Sequence, residues 1–405
     1  MTPSPPAARR HRALFALSLV LVFSMTTWFS ASAVIPQLRE LWGLSSTAGS
    51  WLTISVQLGF VVGALMSAAL NLADIVSPRH LIFASSLGAA AANAIIGLDP
   101  GPETTTVLRF LTGLFLAGVY PPALKLLSTW FVRGRGVALG VLVGALTVGS
   151  AAPHLVNGLG GLDWRLVIYV TSALTVLGGL LAQLGVREGP FPFPKAVFDP
   201  RQTHAVLANR GVVLAVFGYF GHQWELYAMW TWFVVFFAAS MEAAGREPGS
   251  LPALATFLVI GMGGLGCWVG GILGDRWGRT RTTVLMMGLS GTCSVLVGFL
   301  FGRSPWLVLA LGLVWGFTIV ADSAQFSAVV TELADQAYVG TALTLQTATG
   351  FALTIATIWL VPYAEEIVGW RWAFALLAPG PLLGSLAMLR LLHSPAAERI
   401  AHGRG

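Results

Sequence analysis

Segments of about twenty apolar residues, repeated from one end to the other, constrain this chain more than any other feature, because a helix rising ~1.5 Å per residue needs that length to cross a hydrocarbon core of ~30 Å. Such runs occupy 13–35, 50–72, 80–98, 104–126, 137–160, 165–186, 210–240, 252–274, 283–302, 306–331, 341–364 and 370–392, several without a formal charge. There is little strand-like alternation, and a sheet edge cannot be left unpaired in lipid. The chain therefore reads as an all-α membrane protein of twelve transmembrane helices. Composition agrees. Charged residues are only 10% of the 405, where soluble domains carry about a quarter.

The net charge of +6 would suit a nucleic-acid ligand if it were gathered in one patch. Instead Lys and Arg lie in short clusters between apolar runs, the pattern that sets membrane orientation. They crowd the loops that share a side with the N-terminus, which predicts an inner-membrane protein with both termini cytoplasmic. Arg9, Arg10 and Arg12 ahead of the first run, and Ala31-Ser32-Ala33 at its end, imitate a signal peptide. The run exceeds an h-region of about 7–15 residues, so a retained first helix is expected. The longest polar stretch, 187–209, contains Pro190, Pro192, Pro194 and Pro200. It divides the chain into a six-helix bundle (1–186), a cytoplasmic linker (187–209), a second six-helix bundle (210–392) and a cytoplasmic tail (393–405). The halves echo each other: Asp74 follows the second run and Asp275 the eighth, while Asp163-Trp164-Arg165 precedes the sixth and Gly369-Trp370-Arg371 the twelfth. Two pseudo-symmetric halves around a midplane site form a transporter plan.

The loop after the eighth run reads Gly271-Ile-Leu-Gly-Asp275-Arg276-Trp-Gly278-Arg279-Thr-Arg281. It resembles the cytoplasmic loop signature of the major facilitator superfamily, Gly-x-Leu-x-Asp-Arg-x-Gly-Arg followed by a basic residue, displaced here to Arg281. In physical terms, Asp275 can sit near the next helix N-terminus, Arg276 and Arg279 can brace it, and Gly278 permits the turn. The resemblance implies a latch on one conformation of an alternating-access cycle, with Gly271, Asp275, Arg276, Gly278 and Arg279 as its parts. The first-half counterpart is degenerate, keeping Asp74 and Arg79. Arg109-Phe-Leu-Thr-Gly113 and Trp130-Phe-Val-Arg133-Gly-Arg135-Gly136 are similar to two further family elements. The fifth run has Gly144, Gly149 and Pro153 in place of the Gly-Pro dipeptide of the drug-antiporter subgroup. Glycine pairs four apart, such as Gly59 with Gly63 and Gly266 with Gly270, read as helix-packing positions.

Ionisable residues inside apolar runs are functional candidates, since each costs ~2.5–3.5 kcal/mol or more at the bilayer centre. Here they are Arg109, Lys125, His222, Glu225 and Asp322, all on runs that the resemblance assigns to the central cavity. Low-dielectric surroundings disfavour a charged carboxylate, the property a proton carrier uses. Glu225 is the expected carrier, tuned by His222 one turn away; a static pair with a basic residue is the bland alternative. Asp322 is a second protonation site or a partner of Arg109 or Lys125. Arg109 is the best anion-binding group by charge and fork geometry, and Lys125 either joins it or snorkels. Gln325 follows Asp322 by one turn. Trp28, Trp224 and Tyr227 read as packing or as an aromatic wall for substrate.

His222-x-x-Glu225 offers two ligands, too few for a metal site. Cys267 and Cys293 read as small buried side chains. No phosphate-binding loop or nucleophilic triad appears, so neither a cofactor nor an enzymatic reaction is expected. The expectation is a monomeric, proton-coupled secondary transporter of a small solute, favouring an organic or inorganic anion. The alternatives are a proton-antiport efflux pump for cationic or amphipathic compounds and a transport-inactive membrane sensor. Its partners are that small-molecule substrate, H+ and the lipid bilayer, with no nucleic acid.

Overall fold

The computed structural model describes residues 7–131, 135–191, 198–335, 337–401 and 403–405. Among the described residues there is no strand. The spans are α1 (Ala7–Ser24), α2 (Ser46–Ala69), α3 (Pro78–Ile96), α4 (Pro102–Ser128), α5 (Arg135–Leu159), α6 (Trp164–Gly185), α7 (Arg210–Ala243), α8 (Leu251–Arg276), α9 (Arg279–Phe299), α10 (Pro305–Leu333), α11 (Val339–Val368) and α12 (Trp370–Leu392). Ten are long and apolar enough to cross a bilayer as single helices, and the bent first span makes up to 11. The twelfth place belongs to α3, 19 residues rich in alanine and serine, packed against α4 and α6.

Four spans depart from straight helices, α12 among them through a 3-10 turn at Phe374–Leu377. The first stops at Ser24 and passes through 3-10 turns at Met25–Thr27 and Ser32–Val34. It resumes at Ile35–Trp42 with a 47° bend. Thr26 and Ser30 there donate their hydroxyls to the Phe23 and Thr27 carbonyls, the side-chain competition that loosens a helix. In α4 the break falls between Leu116 and Tyr120, just before Pro121 and Pro122, where prolines suit a restart but not a helix interior. In α10 the interruption is Asp322 itself, between Ala321 and Ser323.

Within each half the same close packing recurs. A Cβ built at Gly59 of α2 would lie 1.9 Å from the Phe110 carbonyl of α4, and one at Gly316 of α10 would lie 1.8 Å from the Val259 carbonyl of α8. Only glycine lets these backbones approach so far. Between the halves, α2 packs on α11 and α5 on α8. The α5–α8 seam is lined by glycine too: a Cβ at Gly140 would meet the Cys267 carbonyl at 2.9 Å, and one at Gly144 would meet the Gly264 carbonyl at 2.9 Å. Gly158 sits on Leu254 at the far end, so the seam is closed along its length.

Candidate functional site

A broken helix leaves carbonyls without partners, and in lipid each must be satisfied inside the protein. Arg109 performs this task for the bend after α1. Its Nε donates to Leu52 O at 3.0 Å, and its Nη1 donates to Thr27 O at 2.8 Å, Ser30 Oγ at 3.1 Å and Asn93 Oδ1 at 3.4 Å. Its Nη2 makes a short bond to Trp28 O. The side chain is 0% exposed. Every nitrogen of the guanidinium is thus directed at an acceptor within the first six spans. Lys125 lies in the last turn of the second piece of α4, part-buried.

The second half holds its ionisable groups differently. His222 on α7 places Nδ1 2.9 Å from Asp322 Oδ1, with side chains 2% and 1% exposed. The approach suits an ion pair, but its alignment is poor for a hydrogen bond, and His222 Nε2 and Asp322 Oδ2 have no protein hydrogen-bond partner. Both residues can change charge, and Asp322 stands at the interruption of α10, the kind of discontinuity where coupling ions bind in transporters. Glu225 is one turn along α7 and 1% exposed. It accepts from Ser290 Oγ at 2.7 Å and Trp315 Nε1 at 2.6 Å. It does not pair with His222. Glu225 faces α9 and α10, while Tyr227, about 200° further around the helix, faces the other half.

Tyr227 enters an aromatic cluster that crosses the seam. Trp28 and Phe29 lie with ring centroids 5.9 Å from Tyr227, at interplanar angles of 23° and 9° respectively. Phe60 of α2 meets Phe351 of α11 at 4.6 Å, and Trp230 closes the edge against Phe29 at 5.6 Å. Trp224 is elsewhere: its Nε1 donates to Leu376 O at 3.1 Å and it packs on Gly380 of α12. Three residues from Tyr227, it turns away from the seam. Other buried polar groups carried little weight in the sequence. Gln57 on α2, Gln346 on α11 and His154 on α5 are fully buried, and none of their side-chain nitrogens or oxygens has a protein hydrogen-bond partner.

At the end of the bundle bearing the 276–281 loop, Arg279 is the hub. Its Nη2 and Nε reach Glu332 Oε1 at 2.8 and 3.0 Å, and its Nη1 donates to Gln325 Oε1 at 2.9 Å. The Asp275 carboxylate is 3.4 Å from Nη1. Gln325 thus belongs to this network, also donating to Gly270 O at 3.2 Å, and stands apart from the aromatic cluster. Asp275 does not cap α9, whose N-cap is Gly278 (φ 115°) and which has no side-chain cap. It lies instead on the first turn of α5 in the other half, 2.8 Å from where a Gly136 Cβ would be. A negative charge is favoured at that helix start. Gly271 sits beside Gly136 and Val137, and Arg276 is exposed. Arg79 lies with Ser77, Leu126, Arg187 and Glu188 around a surface cavity. Arg133 and the Asp74 side chain fall outside the described residues. Glu332 carried no sequence signal: it is 53 residues from Arg279 and just past the tenth apolar run. Ser290 and Trp315 looked like ordinary span residues.

Comparison with known proteins places this architecture. A family model described as Major Facilitator Superfamily matches residues 17–358. The puromycin resistance protein pur8 of Streptomyces alboniger is 32% identical over 44% of this chain and 34% of its own length, so this chain spans about a third of that relative. A probable sulfoacetate transporter of Cupriavidus necator is 26% identical over 72% of this chain and 73% of its own. A bacterial homologue of the human lysosomal transporter Spinster, solved inward-facing and unoccupied, superposes with a TM-score of 0.68 at 14% identity, covering 96% of this chain and 100% of that one.

Proposed function

The chain belongs to the major facilitator superfamily, and on that footing we propose that it is a proton-coupled secondary transporter of an organic solute in the cytoplasmic membrane, with both termini inside. The observation that carries the coupling is the buried His222–Asp322 pair at the interruption of α10. A lone charge at that depth is costly. The pair is electrically neutral overall both with the proton on His222 opposite ionised Asp322 and with the proton on Asp322 opposite neutral His222. An additional proton leaves one net charge, which favours a conformation open to water. Proton arrival and departure therefore bias the two open states. Glu225, held by Ser290 and Trp315 one turn away, serves as a second acceptor. Asp275 against α5 forms the cytoplasmic latch, with Gly271 and Gly278 shaping the loop and Arg279, Gln325 and Glu332 bracing it. The linker 187–209 separates the two moving bundles, and the protein acts as a monomer.

The geometry favours an organic solute without negative charge over a small organic or inorganic anion, because Arg109, which with Lys125 argued for an anion, has its donors engaged with the first three spans. The related puromycin resistance protein points toward organic solutes, and the sulfoacetate transporter toward anions, so puromycin and sulfoacetate are the probes to use. In proteoliposomes with an imposed pH gradient, gradient-dependent movement of puromycin that disappears in Asp322→Asn supports the proposal. Movement of sulfoacetate alone, lost in Arg109→Gln and retained in Asp322→Asn, refutes it.

A further inference from the structure

We infer that the aromatic cluster on the seam is a binding site for a flat, uncharged aromatic solute bearing both hydrogen-bond donors and acceptors, and that Gln57 and Gln346 read those groups. This deepens the transport reading above and rests on it.

Two observations carry the inference. The first is how the rings are shared. Trp28 and Phe29 come from the first half and Tyr227 from the second, stacked nearly parallel at 5.9 Å. A ring held between two aromatic faces needs roughly 7 Å from face to face at van der Waals contact, and here the two walls rest on one another with centroids 5.9 Å apart. Rocking the halves apart widens this slot without rebuilding either wall. A flat ring that enters replaces one aromatic contact by two, each worth ~0.5–1.5 kcal/mol beyond burial.

The second observation is the set of unpaired polar groups. Gln57 is one turn from Phe60 on α2. Gln346 is one turn from Gly350, which packs on Tyr219 and Gln223 of α7. Both amides are 0% exposed, and neither the oxygen nor the nitrogen of either has a protein partner. The Trp28 and Trp230 indole N–H groups and Gln223 Oε1 are likewise buried and unpaired. Leaving a buried polar group unsatisfied costs ~1–3 kcal/mol, and such groups are normally paired. An amide offers both a donor and an acceptor, so a complementary ligand needs both. It needs no counter-charge. Arg109 is directed at carbonyls of the first span and Leu52, and His222 and Asp322 face one another within the second half. A charged ligand would enter the cluster without a partner, at the full desolvation penalty.

The test uses a ring-matched series on the full chain in lipid nanodiscs by titration calorimetry: indole-3-acetamide, indole-3-acetate and tryptamine, with inorganic sulfate as the ring-free anion. The amide is expected to bind at least about tenfold tighter than its charged counterparts, the discrimination typical of a site built to hydrogen-bond its ligand. Gln57→Leu and Gln346→Leu should each weaken the amide by about tenfold while leaving the ligand-free melting temperature unchanged or raised, since an unpaired buried amide gives way to an apolar group. A merely structural glutamine would show a lowered melting temperature instead, and that result overturns the inference. So does tighter binding of indole-3-acetate, tryptamine or sulfate, or no binding of the amide. Amide binding without any flux under a pH gradient would sink the transport reading and leave this site standing. Flux that persists with full affinity in both glutamine variants would sink this site and leave transport standing.

Discussion

The two halves bury charge in opposite ways. The first six spans hold the cation Arg109 and direct its fork at acceptors from three spans: the first-span carbonyls and Ser30, Leu52 of α2 and Asn93 of α3. The last six hold His222, Asp322 and Glu225, and pair the first two with each other. The scaffolds beneath are alike, with glycine contacts joining α2 to α4 and α8 to α10 at nearly the same distance. The difference therefore lies in the chemistry mounted on a repeated frame. One half buries a cation among backbone and side-chain acceptors, and the other buries an acid beside a histidine.

The most severe test of this contrast is functional. Asp322→Asn should reduce pH-gradient-driven transport in proteoliposomes to background with little loss of thermal stability, because His222 can simply become neutral. A large stability loss with transport intact would erase the proposed asymmetry. Arg109→Leu should do the reverse. It strands several buried acceptors at ~1–3 kcal/mol each, so denaturation in detergent should show a loss of roughly 3 kcal/mol or more. A mild effect would mean the bend of the first span holds without its clamp. Gly59→Ala and Gly316→Ala should cost similar amounts, about 1–3 kcal/mol each from overpacking; unequal melting shifts would show that the frames are not equivalent. The smallest effect belongs to Glu225→Gln. One of its two donors loses its acceptor, costing about 1 kcal/mol, and initial-rate measurements should find slowed but still gradient-dependent transport.

The membrane fold was legible from run length, since the bilayer imposes it on every span, and the loop signature named the family. The breaks were not. Thr26 and Ser30 loosen the first span through bonds to their own backbone, and Pro121 and Pro122 restart α4, yet neither shortens an apolar run. Depth in the membrane marked the ionisable residues, but direction decided their partners. His222 and Glu225 are neighbours on one helix and both reach α10, yet His222 meets Asp322 while Glu225 is held by Trp315 and by Ser290 of α9. Trp224 and Tyr227 are three residues apart, yet only Tyr227 reaches the seam. Asp275 was expected to serve the helix after it and lies on α5, a contact no local spacing encodes. Glu332 and the unpaired Gln57 and Gln346 depend on which helix faces which, information carried only by the packed structure.

The glycine-lined seam between α5 and α8 bears on speed. Helices that mesh through large side chains must lift ridge out of groove before they can turn. At Gly140 and Gly144 there are no ridges to lift: one backbone slides over another as over a smooth bearing. The resistance to motion is then concentrated where the Asp275 carboxylate lies on the first turn of α5 and where the rings stack between the halves. Such a molecule would turn over at a rate set by how often a carboxylate lets go of a helix end, with the packing of the bundle itself adding little friction.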